Sequence, residues 1–127
     1  MSVFGVRATA GTLRAADGVV LRHTWTDKGV VAEPATNGAQ LLHLSVALCI
    51  LNDAYREAEK LGIKVDGIVV TVDGGFDDDW RSLGIDYSIK LEAEASDAER
   101  AALLELVHEV AEIPRALRAG ATVTRVD

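Results

Sequence analysis

The sequence predicts an α+β fold with the element order β-β-β-α-β-β-α-α-β and a long central helix. Three observations carry that expectation. A helical pattern runs from Asn37 to Leu61 and stops at Gly62. Residues Ile85 to Ala95 alternate apolar and polar, as a half-buried antiparallel strand does. Ser96-Asp97-Ala98-Glu99 has the form of a capping box that opens a second amphipathic helix. The 127 residues amount to one domain, spanning 1–127.

The first third reads as β structure. Val3 to Ala10 is a short strand, and Leu13 to Ala15 continues it after Gly11. Asp17-Gly18 signals a hairpin turn. Val19 to Thr26 follows, with Val19, Leu21, His23 and Trp25 on one face and Val20, Arg22, Thr24 and Thr26 on the other. Asp27 to Thr36, containing Gly29 and Pro34, reads as a loop.

Asn37 is a good N-cap for the long helix, with Gln40 at the third helical position in a capping-box-like pair. Gly62 is a natural terminator. About 24 residues at 1.5 Å each give a rod of ~36 Å, as long as a compact chain of this size is wide. Its second half is amphipathic: Ala54, Tyr55, Ala58 and Leu61 lie against Asp53, Arg56, Glu57 and Lys60. In the first half, Leu41, Leu42, Leu44, Val46, Leu48, Ile50 and Leu51 point to nearly every azimuth. A helix apolar all round must be covered all round. One small sheet and one further helix leave a side open, so a second subunit in a symmetric dimer is expected there.

Beta structure returns at Gly67 to Val72, and the acidic stretch Asp73 to Asp79 reads as a solvated hairpin tip. After the strand at Ile85 to Ala95, the second helix puts Leu103, Leu106, Val107, Val110 and Ile113 on one face. Pro114 either stops it or starts a short third helix that Gly120 closes. Ala121 to Val126 is read as a last strand.

Composition narrows the function. Thirteen basic against twenty acidic residues leave a net charge of −7. That disfavours nucleic acid and anionic membrane surfaces as partners, since both are bound through basic patches. No apolar run approaches the ~20 residues of a bilayer span, and no signal peptide is read at the N-terminus. A single cysteine excludes an internal disulfide framework and a cysteine-based zinc site. A soluble protein of a reducing, cytoplasmic compartment is the expectation.

Cys49 is the candidate for chemistry. One reading is a small buried hydrophobe; the other is a reactive thiol, which needs a cation, a helix N-terminus or a base to ionise. Cys49 lies several turns from its helix N-terminus, and Asp53, one turn on, raises the thiol pKa. Any activating cation comes from elsewhere in the fold or from another subunit: Arg7, Arg22, Arg115 and Arg118 are available. His23, His43 and His108 show no metal-ligand spacing, and no metal or cofactor is expected. His43 is about 240° from Cys49 around the helix, and His108 with Glu112 reads as a surface i, i+4 pair. Asp73 to Asp79 lacks the pattern of a calcium loop, and no phosphate loop, dinucleotide fingerprint or nucleophile elbow is present.

The run Asn37-Gly38-Ala39-Gln40-Leu41-Leu42, with Cys49 twelve residues after Asn37, resembles the central helix of the OsmC/Ohr family. There a motif close to N-P-E-x-L-L precedes the reactive cysteine at this separation. The segment order is similar across essentially the whole chain. Ala111-Glu112-Ile113-Pro114-Arg115-Ala116-Leu117 is similar, more weakly, to the family's second cysteine motif, C-P-x-S-x-A-L. The resemblance implies an OsmC-like intertwined homodimer with two long helices at its centre. It implies a peroxidase, an oxidoreductase of oxidative stress defence, that reduces organic hydroperoxides at the subunit interface beside an apolar channel. Cys49 is then the nucleophile, with Arg7 or Arg22, from either subunit, activating the thiolate. Ala39 stands at the family's motif glutamate and Ala111 at its second cysteine, so an external thiol is the implied reductant. The alternative is a non-catalytic OsmC-like dimer that binds a small apolar ligand at the subunit interface.

Overall fold

The computed structural model describes residues 1–127. Eight elements follow one another: β1 (Val6–Gly11), β2 (Val19–Leu21), β3 (Val30–Glu33), α1 (Gly38–Lys60), β4 (Lys64–Phe76), β5 (Ser82–Glu94), α2 (Asp97–Val110) and α3 (Glu112–Ala119). The strands form one antiparallel sheet in the order β2-β3-β1-β4-β5. The α+β fold and the long central helix stand as the sequence predicts.

Sheet register builds the floor of the core. Val6, Ala8 and Ala10 of β1 face Val72, Val70 and Ile68 of β4, and all six are fully buried. Tyr87, Ile89 and Leu91 of β5 pair with the same three β4 residues, which extends one apolar face across the sheet. Helix α1 lies on this face through Leu44, Ala47, Ile50, Leu51, Ala54 and Ala58. Leu103 and Val107 of α2 close the core beside it.

The helix caps differ in one detail from expectation. Asn37 caps α1, its side chain accepting the Gln40 N–H at 2.9 Å. Gln40 reaches back one residue further than a capping box does: its Oε1 accepts from the Thr36 N–H and hydroxyl, at 2.8 and 2.9 Å. The Ser96–Glu99 box is present with both bonds. Pro114 sits in the first turn of α3. A proline there would clash with the Val110 carbonyl had α2 continued, so α2 ends at Val110 and the chain turns at Ala111.

Several N-terminal boundaries move. β1 begins at Val6 because residues 2–5 turn, with the Gly5 N–H on the Ser2 carbonyl. Leu13 to Ala15 is no strand: Gly11, at φ +65°, turns the chain back, and the Ala15 N–H bonds the Thr9 hydroxyl at 2.7 Å. Of Val19 to Thr26 only Val19–Leu21 pairs, at the sheet edge with all three residues exposed. The expected loop contains β3 instead. Val30, Val31 and Ala32 are buried on both faces between β1 and β2, so they read as a continuous apolar run rather than an alternation.

The C-terminal expectation also fails. Residues 121–127 form no strand, pair with neither edge of the sheet and are exposed. At the other hairpin the strands are longer than expected. Asp73 to Phe76 belong to β4, and the turn is tied by the Asp77 carboxylate, which accepts from the Asp79 and Arg81 N–H groups at 2.9 Å each.

Three sides of the apolar half of α1 are covered within the chain. Leu41, Ser45, Leu48 and Asn52 fall within about 60° of azimuth. Leu41 is 55% exposed and the other three are half-buried. No helix is long and apolar enough to cross a membrane.

Candidate functional site

Cys49 borders that open stripe. At i, i+4 and i+7 on α1, Cys49, Asp53 and Arg56 line one flank of the helix, and the α2–α3 junction folds against it. The sulfur lies 3.8 Å from Asp53 Oδ2 and 3.5 Å from Glu112 Oε2. The backbone N–H of Ile113 donates to it at 3.5 Å. One guanidinium nitrogen of Arg56, Nη1, meets Asp53 Oδ1 at 3.2 Å and Glu112 Oε1 at 3.1 Å. Each carboxyl group therefore turns one oxygen to the sulfur and the other to the arginine.

The electrostatics follow from this arrangement. Burial pushes the Cys49 thiol up to about 11, and the Asp53 and Glu112 carboxyls act in the same direction. The Ile113 N–H pulls the other way without overcoming them. Burial raises Asp53 to about 6, with Glu112 adding to the rise. Glu112, exposed, is held down near 2, first by its hydrogen bond with Asp53 and then by its own helix-end amide and Arg56. Where one proton is shared between the two carboxyls, it resides on the buried Asp53. In this state the thiol is neutral.

Neither Arg7 nor Arg22 reaches this site within the chain. Arg7 alternates with the core residues Val6 and Ala8, so it projects from the sheet face opposite α1, where it pairs with Glu33 at 2.6 Å. Arg22 follows edge strand β2 and is exposed. Arg115 donates to the Glu109 carbonyl at 3.0 and 2.8 Å. The cation of the cluster is Arg56, which contacts the two carboxyls rather than the sulfur. Its spacing from Cys49 and Asp53 was visible in the sequence; Glu112 had no such local signal, being 63 residues away. The expected His108–Glu112 pair is absent: His108 bonds the Tyr87 hydroxyl, while Glu112 turns to α1.

Cys49, Asp53 and Glu112 bring three potential metal-ligating atoms within 4.8 Å of one another. Arg56 already sits on both carboxylates and competes with any metal ion for them. The histidines lie apart from this group. His43 is fully buried, its Nδ1 2.7 Å from the Phe4 carbonyl and its ring stacked on Phe76. His23 stands edge-on to Tyr55, and burial lowers its pKa.

One turn from Cys49 along α1, a cavity of about 360 Å³ opens between α1, β5 and α3. Leu42, Val46, Ile85, Tyr87 and Leu117 form much of its lining, with Arg118 on its wall. Its size and apolar walls suit a small organic molecule.

A model of the OsmC-like protein family matches residues 30–125, three-quarters of the chain, including α1, both long strands and the segment that folds onto Cys49. The chain belongs to the OsmC-like family. Its fold is similar to that of an OsmC-like protein from Mycoplasma pneumoniae, with a TM-score of 0.59 at 17% identity over 73% of this chain and 75% of that one. An OsmC-like hydroperoxide resistance protein from Jannaschia sp. CCS1 matches at 15% identity and a TM-score of 0.47, over 94% of this chain and 91% of that one. No curated protein matches the chain. The segment whose sequence is similar to the family's second cysteine motif does come to Cys49, but with the buried Ala111, Glu112 and the Ile113 amide in place of a thiol.

Proposed function

We propose that this OsmC-like protein is a one-cysteine peroxidase that reduces organic hydroperoxides, with Cys49 as nucleophile. The observation that carries the reading is the half-buried thiol of α1, set in a cluster of two carboxyls and an arginine beside an apolar cavity. The Cys49 thiolate attacks the terminal peroxide oxygen. The O–O bond breaks, an S–O bond forms, and the alkoxide leaves and takes a proton to become the alcohol. The sulfenic acid then condenses with an external thiol to a mixed disulfide and water, and a second external thiol restores Cys49 as a disulfide leaves. Two electrons pass from two thiols to one hydroperoxide. Cys49 is the chain's one cysteine, so the reductant is external and the reading suits a reducing compartment.

The working form is a homodimer. Leu41, Val3, Trp80 and Leu83, between 55% and 78% exposed, and the open stripe of α1 are the apolar surface that a second copy would cover. Arg7 and Arg22 enter this reading only from a second copy, as the partner's Arg7 or the partner's Arg22.

The test is reduction of an alkyl hydroperoxide with a dithiol donor. Turnover that falls at least ~100-fold in Cys49→Ser is expected, the size of a lost reacting group. Turnover that persists in Cys49→Ser, or none with any thiol donor, overturns the reading. The cavity favours a second one, a non-catalytic dimer that holds an apolar ligand there; a thermal shift with apolar ligands in a chain without turnover would select it.

A further inference from the structure

The thiol of Cys49 and the guanidinium of Arg56 share one flank of α1, yet two carboxyl groups separate them. Asp53 belongs to the same helix and is held there by burial, its side chain 2% exposed. Glu112 differs. It is the first residue of α3, its side chain is 59% exposed, and it comes to the flank only because the chain turns at Ala111. The groups that face the sulfur are Asp53 of α1, Glu112 of α3 and the Ile113 amide. Arg56 stands behind the carboxyls, and Glu57 adds a negative charge near it.

We propose that Glu112 is a positioning residue that restrains Cys49: its carboxylate, lying between the sulfur and the Arg56 guanidinium, occupies the one cation of the site and keeps the thiol in its unreactive form. With the Glu112 charge removed or displaced with α3, Arg56 loses one of its two carboxylate partners and its field reaches the sulfur. The Ile113 N–H, already aimed at the sulfur, then supports a thiolate instead of a thiol. The site thus holds its own activating cation in reserve. This regulation rests on the reading that Cys49 is the reacting group, but its test reads the thiol itself.

The experiment follows the rate of iodoacetamide alkylation and thiolate absorbance of the full chain across the alkaline range. Wild type, its thiol pushed up to about 11 by burial, is expected to show its midpoint there. Glu112→Gln, isosteric at an exposed position, is expected to lower that midpoint by about one unit and to speed alkylation near neutrality about tenfold, the effect of removing one like charge at this distance. Glu112→Asp, which keeps the charge, retains the wild-type midpoint. Arg56→Met in the Glu112→Gln background returns the midpoint toward wild type. A fall of less than about half a unit in Glu112→Gln overturns the proposal, as does an equal fall in Glu112→Asp. No return with Arg56→Met overturns the role of the arginine. If the midpoints move as expected while wild type and Glu112→Gln alike reduce no hydroperoxide, the peroxidase reading fails and the restraint stands.

Discussion

His43 and Cys49 are six residues apart on one helix, about 9 Å along its axis, and their surroundings are opposites. His43 is enclosed by rings. Phe76 stacks on it at 5.8 Å between centroids, and Phe4 and Trp80 pack around Phe76. It makes one hydrogen bond, and its Nε2 is buried without a partner. Gly74 lies against that nitrogen so closely that an added Cβ would come within 3.0 Å of it. Cys49 meets two carboxyls and a backbone amide and borders an open stripe. The pair shows how a helix uses its turn: positions 240° apart face different neighbours, and the neighbours decide whether a titratable side chain is packed among rings or set among charges. Cysteine is the residue expected to pack, yet here the histidine does so.

The contrast can be broken at either end. His43→Ala empties a fully buried ring site, and a loss of about 3 kcal/mol in denaturant unfolding is expected, typical of a large-to-small core change. The alkylation midpoint of Cys49 should stay where it is; a midpoint that moves with His43 would join the two regions. Titration of Cys49 gives the next effect. Its folded pKa of about 11 exceeds the reference of 9.0, so between those values the unfolded chain releases its proton first. Stability therefore falls as pH rises through that window, by up to about 2 kcal/mol, relative to Cys49→Ser measured alongside. Equal pH profiles for the two proteins would mean that the thiol is not held neutral.

Asp53→Asn should lower the Cys49 midpoint by about one unit, worth roughly 1.4 kcal/mol between the two protonation states. Stability should change by less than that, because the amide keeps an oxygen for Arg56. Smallest is Arg7→Met. Loss of its half-exposed pair with Glu33 should cost under about 1 kcal/mol in thermal unfolding. In monomeric chain it should leave Cys49 alkylation unchanged. A shift that appears only at concentrations where the protein associates would bring the partner's Arg7 to the thiol.

Much of this was legible in the residues. Asn37, Gly62, Ser96 and Glu99 mark helix ends through local hydrogen bonds or backbone freedom, and the structure uses each of them. The Ile85–Ala95 alternation reports one half-buried and one wet face of β5. Beta strands without alternation were harder. Val30–Glu33 hides as a loop because Val30, Val31 and Ala32 are all buried, and Ala121 to Val126 has strand composition yet pairs with neither edge of the sheet. At the site, Cys49, Asp53 and Arg56 share a helical line that spacing alone reveals. Glu112 was misassigned to His108, since the i, i+4 rule assumes one continuous helix and Pro114 ends that helix at Val110.

The sequence by itself determined the long capped helix, the half-buried strand and the cysteine's place on the helix flank, because caps and periodicities act over a few residues. Only the tertiary structure decided which groups meet the sulfur. Glu112 and the Ile113 amide arrive from 63 and 64 residues away by the packing of α3 on α1. The thiol's protonation state depends on burial and on charges within a few ångströms, and no local pattern encodes those.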